Sequence, residues 1–314
     1  LKNITYNNIS VKSVDKGVYA FRMHFSADGG DIDNIKLSNI NFCGKVLTEN
    51  DKSNSDLFKN EAENYFDELI IERNLKESEN NMVIETNIDQ LRDPCILLED
   101  GVYYAYGTCW VCYKNTSGML SGDWQYVGNV VETPADANGD YWAPEVHKYN
   151  GAYYMFTTYL SKTTEKRGCT VLKSDSPVGP FVEISDGPVT PSDWYAIDGT
   201  LYVDEEGQPW MIFVREWVGT DDKVGRMVAA KMSDDLTRLI SEPIELFRAD
   251  DPKWATWDIT DGCWLYKCEN GELLMIWSNW DSEGYCVGVA RSDNGKVDGN
   301  WTQDEELLYS KSMG

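Results

Sequence analysis

Across 314 residues, 28 basic and 53 acidic side chains leave a net charge of −25. A surface this acidic repels phosphate backbones and anionic headgroups, so nucleic acid and membrane surfaces are disfavoured as partners and neutral carbohydrate stays open. No run approaches the ~18 consecutive apolar residues of a membrane span, and twelve Trp with eighteen Tyr point to an aromatic β core or an aromatic-lined site.

The chain opens on "LKNITYNN", with no initiator Met, basic stretch or apolar stretch of a leader. It is expected to be part of a longer polypeptide carrying further domains, and secretion against cytoplasmic residence stays undecided. The eight Cys hold a single C-x-x-C, "CWVC" at 109–112, without a second knuckle or a His pair at zinc spacing. No metal site is expected from them.

Two early segments repeat each other, "NITYNNISV" at 3–11 and "NIKLSNINF" at 34–42, an offset of 31 residues. Recurring Ile and Asn at a fixed period predict the last coils of a right-handed parallel β-helix over residues 1–50. Residues 51–87 carry ten acids against four bases and read as an acidic linker, with a short helix expected within "NEAENYFDELIIERNL".

From residue 88 the texture becomes short β-rich runs punctuated by Gly turns. Four segments repeat there: "RDPCILLEDGVYYAYGT" (92–108), "WAPEVHKYNGAYYMFTT" (142–158), "IDGTLYVDEEGQPWMIFV" (197–214) and "TDGCWLYKCENGELLMIWS" (260–278). Each is a strand, a polar turn with Gly and an aromatic strand, and the turn glycines 101, 151, 207 and 271 lie 50, 56 and 64 residues apart. Two further strand-like stretches follow each copy, so every period holds four strands, the pattern of a propeller blade. The fold class is therefore all-β: a β-propeller over 88–314, with four blades inside this sequence.

Inner strands line a propeller's axis, so the carboxylates that open these repeats, Asp93, Glu145, Asp198 and Asp261, are expected to converge on one funnel. Converging carboxylates suit glycoside hydrolysis, in which one activates water and another protonates the departing oxygen. Asp-Pro and Asp-Gly pairs also suit plain turns, and the two readings compete at each position.

The four motifs in this order resemble glycoside hydrolase family 43, five-bladed propeller enzymes acting on arabinose- and xylose-containing plant polysaccharides. The resemblance covers about 88–314 and implies a fifth blade beyond the four present. It also implies an inverting mechanism of α-L-arabinofuranosidase or β-xylosidase type, with Asp93 as general base and Asp198 as the carboxylate that orients and tunes the acid. Asp261 falls where the family carries a Glu as general acid, one methylene longer; Glu216 in "FVREWVG" is the competing acid. Trp142, Trp217 and Trp264 are candidate sugar-stacking platforms, with packing between blades as the equal competing reading, and Glu145 and Glu216 are expected to contact the substrate. No cofactor is required by the resemblance, although the family's fifth blade often supplies an axial His near a calcium ion. This chain has only His24 and His147, and His147 reads as a strand residue near a turn. The expected partner is neutral cell-wall carbohydrate. Because Asp replaces Glu at the acid position, a carbohydrate-binding propeller without catalysis is the alternative.

Overall fold

The computed structural model describes residues 86–88 and 91–311 in full, and within residues 1–85 only the backbone of short strands. The chain divides into two units, Leu1–Val83 and Ile84–Gly314. In the first, Lys2–Asn7 pairs in parallel with Asp33–Ser38, placing Ile4 opposite Ile35. Leu69–Glu72 continues that sheet as a third strand, where the sequence suggested a helix. Its Ile70-Ile71 pair is β-branched, and such side chains fit a pleated surface better than a helix turn. The β-helix reading of 1–50 and the linker reading of 51–87 otherwise lie outside the described residues.

The second unit is built from four antiparallel four-stranded sheets, each wound from one repeat. The first blade holds Cys95–Glu99, Val102–Gly107, Val111–Asn115 and Gln125–Asn129 from axis to rim. The second holds Trp142–Tyr149, Ala152–Leu160, Arg167–Ser174 and Val182–Glu183. The third runs Ala196–Val203, Pro209–Arg215, Arg226–Lys231 and Ile244–Arg248, and the fourth Asp261–Lys267, Leu273–Trp280, Tyr285–Ser292 and Trp301–Gln303. The repeat glycines 101, 151, 207 and 271 all turn with positive φ between the two inner strands, a conformation that costs glycine nothing.

Strand alternation makes each blade two-faced, and the faces meet in three cores. Tyr153 and Met155 point to the first blade, where they join Tyr106, Trp110 and Cys112. Their neighbours Tyr154 and Phe156 point the other way, to Met211 and Phe213 of the third blade. The far side of the third blade, Ile212, Val214 and Met227, closes on Cys263, Met275 and Trp277 of the fourth. Second strands are the most deeply buried, with Met211, Ile212 and Phe213 fully enclosed. Each such side chain contributes ~1.5–3 kcal/mol by leaving water, which holds the inner strands rigidly against one another. Among the described residues every cysteine is free, the two of "CWVC" included.

Candidate active site

Three inner strands carry the same irregularity at their start. Register slips between Trp142 and Glu145, between Ile197 and Thr200, and between Asp261 and Cys263. At each slip one residue takes a left-handed conformation: Ala143 (φ 43°), Asp198 (φ 54°) and Gly262 (φ 46°). Asp93, immediately before the first blade's inner strand, does the same at φ 52°. Bulges of this kind re-aim side chains and gather next to active sites. Non-glycine residues at positive φ are strained, which makes Asp93, Ala143 and Asp198 the informative ones.

These bulges correct the repeat as read from sequence. Asp93 and Asp198 occupy the left-handed position itself, whereas Asp261 stands one residue before it and Glu145 two residues after Ala143. The four carboxylates are thus not equivalent by position. Asp93, Glu145, Asp198 and Asp261 nonetheless line one cavity of about 800 Å³, together with Glu216, Trp142 and Trp217. That volume falls within the ~300–1,000 Å³ usual for ligand sites.

Each carboxylate has a distinct setting. Asp93 accepts a hydrogen bond from the Thr108 hydroxyl at Oδ2, where the Arg92 Nε also approaches to 3.3 Å. Thr108 is itself fixed, its N–H donating to the Arg92 carbonyl at 3.0 Å and its Oγ1 accepting from the Ala143 N–H at 3.2 Å. Gly107 permits this close pass, since a Cβ there would lie 2.8 Å from the Arg92 carbonyl oxygen. Asp198 is held at both ends: its N–H donates to Thr158 Oγ1 at 3.0 Å, and its Oδ2 accepts the Gly262 N–H at 2.8 Å. It therefore ties the third blade to the residue that follows Asp261. Burial, and then the charge of Asp261, push its carboxyl up from 3.8 to about 7 despite that N–H.

Asp261 accepts from the Tyr285 hydroxyl at 3.2 Å. Burial raises it to about 6, opposed by Tyr285 and reinforced by the charges of Asp93 and Glu216. Glu145 accepts from the Thr200 hydroxyl, with His147 Nε2 3.4 Å away. His147 also lies 3.2 Å from Thr200 Oγ1 and accepts from the Leu201 N–H, so it is a strand residue occupied by local contacts. No group of three or more His, Cys, Asp or Glu gathers to hold a metal among the described residues.

Glu216 is buried, and both its oxygens accept from one guanidinium: Arg167 Nε at 2.8 Å and Nη2 at 2.7 Å. Arg167 donates a third bond to Asp140 at 3.1 Å and sits 5.1 Å from the centre of the Trp142 ring. Trp142 and Trp217 lie on the cavity wall as expected, whereas Trp264 does not line it. Strand alternation after the bulge turns Trp264 away, and its ring stacks on His147 at 5.6 Å. Sequence reasoning missed Arg167, Trp280 and Tyr285. Trp280 and Tyr285 both line the cavity, and the hydrophobic run "LLMIWSNW" gives no sign that its last Trp reaches an opening.

A family model described as Glycosyl hydrolases family 43 matches residues 83–313. Among solved structures, an endo-arabinase from Bacteroides thetaiotaomicron is similar at 36% identity and a TM-score of 0.64, over 70% of this chain and 82% of that one. Among curated relatives, a probable arabinan endo-1,5-alpha-L-arabinosidase A of Emericella nidulans is 24% identical over 64% of this chain and 61% of its own length. An extracellular exo-alpha-(1->5)-L-arabinofuranosidase of Cellvibrio japonicus is 30% identical over 32% of this chain and 29% of its own. The chain spans less than two thirds of either curated relative.

Proposed function

The chain belongs to family 43 of the glycosyl hydrolases, and from that membership we propose that it hydrolyses arabinose- or xylose-containing polysaccharide, with inversion at the anomeric carbon and α-1,5-arabinan as the first substrate to try. The observation that carries the reading is the convergence of Asp93, Asp198 and Asp261 on one cavity with two of them lifted towards neutrality. Arabinan is favoured because the similar proteins named above are described as an endo-arabinase, an exo-alpha-(1->5)-L-arabinofuranosidase and a probable arabinan endo-1,5-alpha-L-arabinosidase.

Asp93, the more open of the pair at the cavity wall, serves as general base. It takes a proton from water as the water oxygen bonds to the anomeric carbon. Asp261, mostly protonated below about pH 6, gives its proton to the glycosidic oxygen as the carbon–oxygen bond breaks. Solvent then removes the proton from Asp93 and restores the one on Asp261. Asp198 positions the acid through the Gly262 N–H, acting on the strand that bears it. Glu216 is the weaker candidate acid: both its oxygens accept from Arg167, and a proton on either would displace one of those bonds.

Full-length protein is assayed on arabinan, xylan and aryl pentosides beside its Asp93→Ala variant. Turnover should collapse in the variant while oligosaccharide binding persists. Equal turnover by the two proteins would overturn the assignment of Asp93. Binding by both with hydrolysis by neither would favour a carbohydrate-binding propeller, the reading suggested by Asp in place of Glu.

A further inference from the structure

A second cavity of about 430 Å³ opens between the loops of the second and third blades. One wall is the turn at 161–168 and the other the approach to the third blade at 186–194. Arg167 belongs to both neighbourhoods: it lines this cavity while its guanidinium grips Glu216 of the catalytic one. Of its five N–H donors, three are committed to Glu216 and Asp140, which leaves two for a ligand.

The rest of the lining sets the hydroxyls of Thr163, Thr164 and Ser192 and the carboxylates of Asp136 and Asp186 among the rings of Pro188 and Pro191, with Trp194 as the aromatic surface. Alternating hydroxyl acceptors, carboxylates and one ring match a sugar, whose hydroxyls donate to carboxylates and whose C–H face packs on indole. Two carboxylates would repel an anionic ligand, and no metal-holding cluster is present among the described residues. The walls are set before a ligand arrives. Ser161 Oγ accepts the N–H groups of Thr163 and Thr164 at 3.1 and 3.0 Å, and Asp136 Oδ1 accepts the Thr163 N–H and hydroxyl at 2.9 and 2.7 Å. Gly168 and Pro188 press so closely that a Cβ on the glycine would lie 2.6 Å from the proline ring. A cavity built this rigidly loses little freedom on binding.

We propose that this second cavity is an accessory subsite for a neutral sugar unit of the glycan, one placed away from the bond that is cleaved. The proposal rests on the hydrolase reading for its substrate class, and Arg167, which lines the second cavity, joins the two sites by holding Glu216 of the first. Ser192 and Asp186 are exposed and have no side-chain hydrogen bond in the structure, so changing them leaves the fold intact.

The test uses the full chain carrying Asp93→Ala, titrated calorimetrically with α-1,5-linked arabinohexaose and arabinobiose. Adding Ser192→Trp, which fills the cavity mouth, should weaken hexaose binding about tenfold and leave biose binding unmoved. Asp186→Ala should weaken hexaose binding in the same direction. In the enzyme with Asp93 intact, Ser192→Trp should raise KM on arabinan and leave kcat on an aryl pentoside unchanged. Hexaose affinity untouched by both substitutions, or biose affinity falling equally, would overturn the subsite. Absence of hydrolysis with the affinity pattern intact would instead overturn the catalytic reading and leave the subsite standing.

Discussion

Replacing Asp261 by Asn removes one buried ionisable group and keeps its shape. Burial lifts the Asp261 carboxyl from 3.8 to about 6, so the folded protein holds that proton more tightly than the unfolded chain does. Stability from this group is complete below about pH 4 and is lost as pH rises through about 6. The span of roughly two pH units, at 1.36 kcal/mol each, sets the loss at up to ~3 kcal/mol. Asn carries no such penalty. The Asn variant should therefore match the wild type near pH 4 and exceed it by up to ~3 kcal/mol above pH 7. For a unit of this size that corresponds to a rise in Tm of ~2–4 °C per kcal/mol. Thermal unfolding of both proteins across pH 4–8 measures it, and hydrolysis should be lost in the variant at every pH. A difference in Tm that is constant with pH, or that favours the wild type at pH 8, would refute the claim that Asp261 is held uncharged by burial.

Other outcomes follow from the same contacts. Activity should decline above about pH 6 as Asp261 ionises. Tyr285→Phe deletes a hydrogen bond that favours the charged form of Asp261, so the alkaline limb of kcat/KM should move to higher pH; a shift to lower pH would contradict that role. Arg167→Gln strands the buried Glu216 charge and should cost ~3–5 kcal/mol in urea unfolding, with Arg167→Gln/Glu216→Gln recovering much of the loss. Equal stabilities for the single and double variants would show that the pair is not coupled.

Much of this architecture is legible in the sequence because hairpin chemistry is local. A polar turn with Gly between two apolar runs specifies each inner pair of strands, and Gly101, Gly151, Gly207 and Gly271 take the positive φ that such turns need. At Asp93 and Asp198 a turn-like backbone and a place on the cavity wall coincide. Each residue adopts the left-handed turn conformation and lines the cavity. What stayed hidden depends on counting across strands. The one-residue offset of Asp261 follows from a bulge whose left-handed residue is Ala in one blade, Asp in another and Gly in a third, a pattern no residue type announces. That bulge also sets the alternation that sends Trp264 to His147 and away from the cavity. Arg167 and Glu216 lie 49 residues apart, and nothing local to either foretells a fork between blades.

The most direct measurement follows the anomeric configuration of the sugar first released from a pentoside by the full-length protein, observed by NMR before mutarotation. A single displacement with Asp93 as base and Asp261 as acid produces the inverted anomer first. Initial release of the retained anomer would require a carboxylate nucleophile in the cavity and would contradict the roles assigned to both.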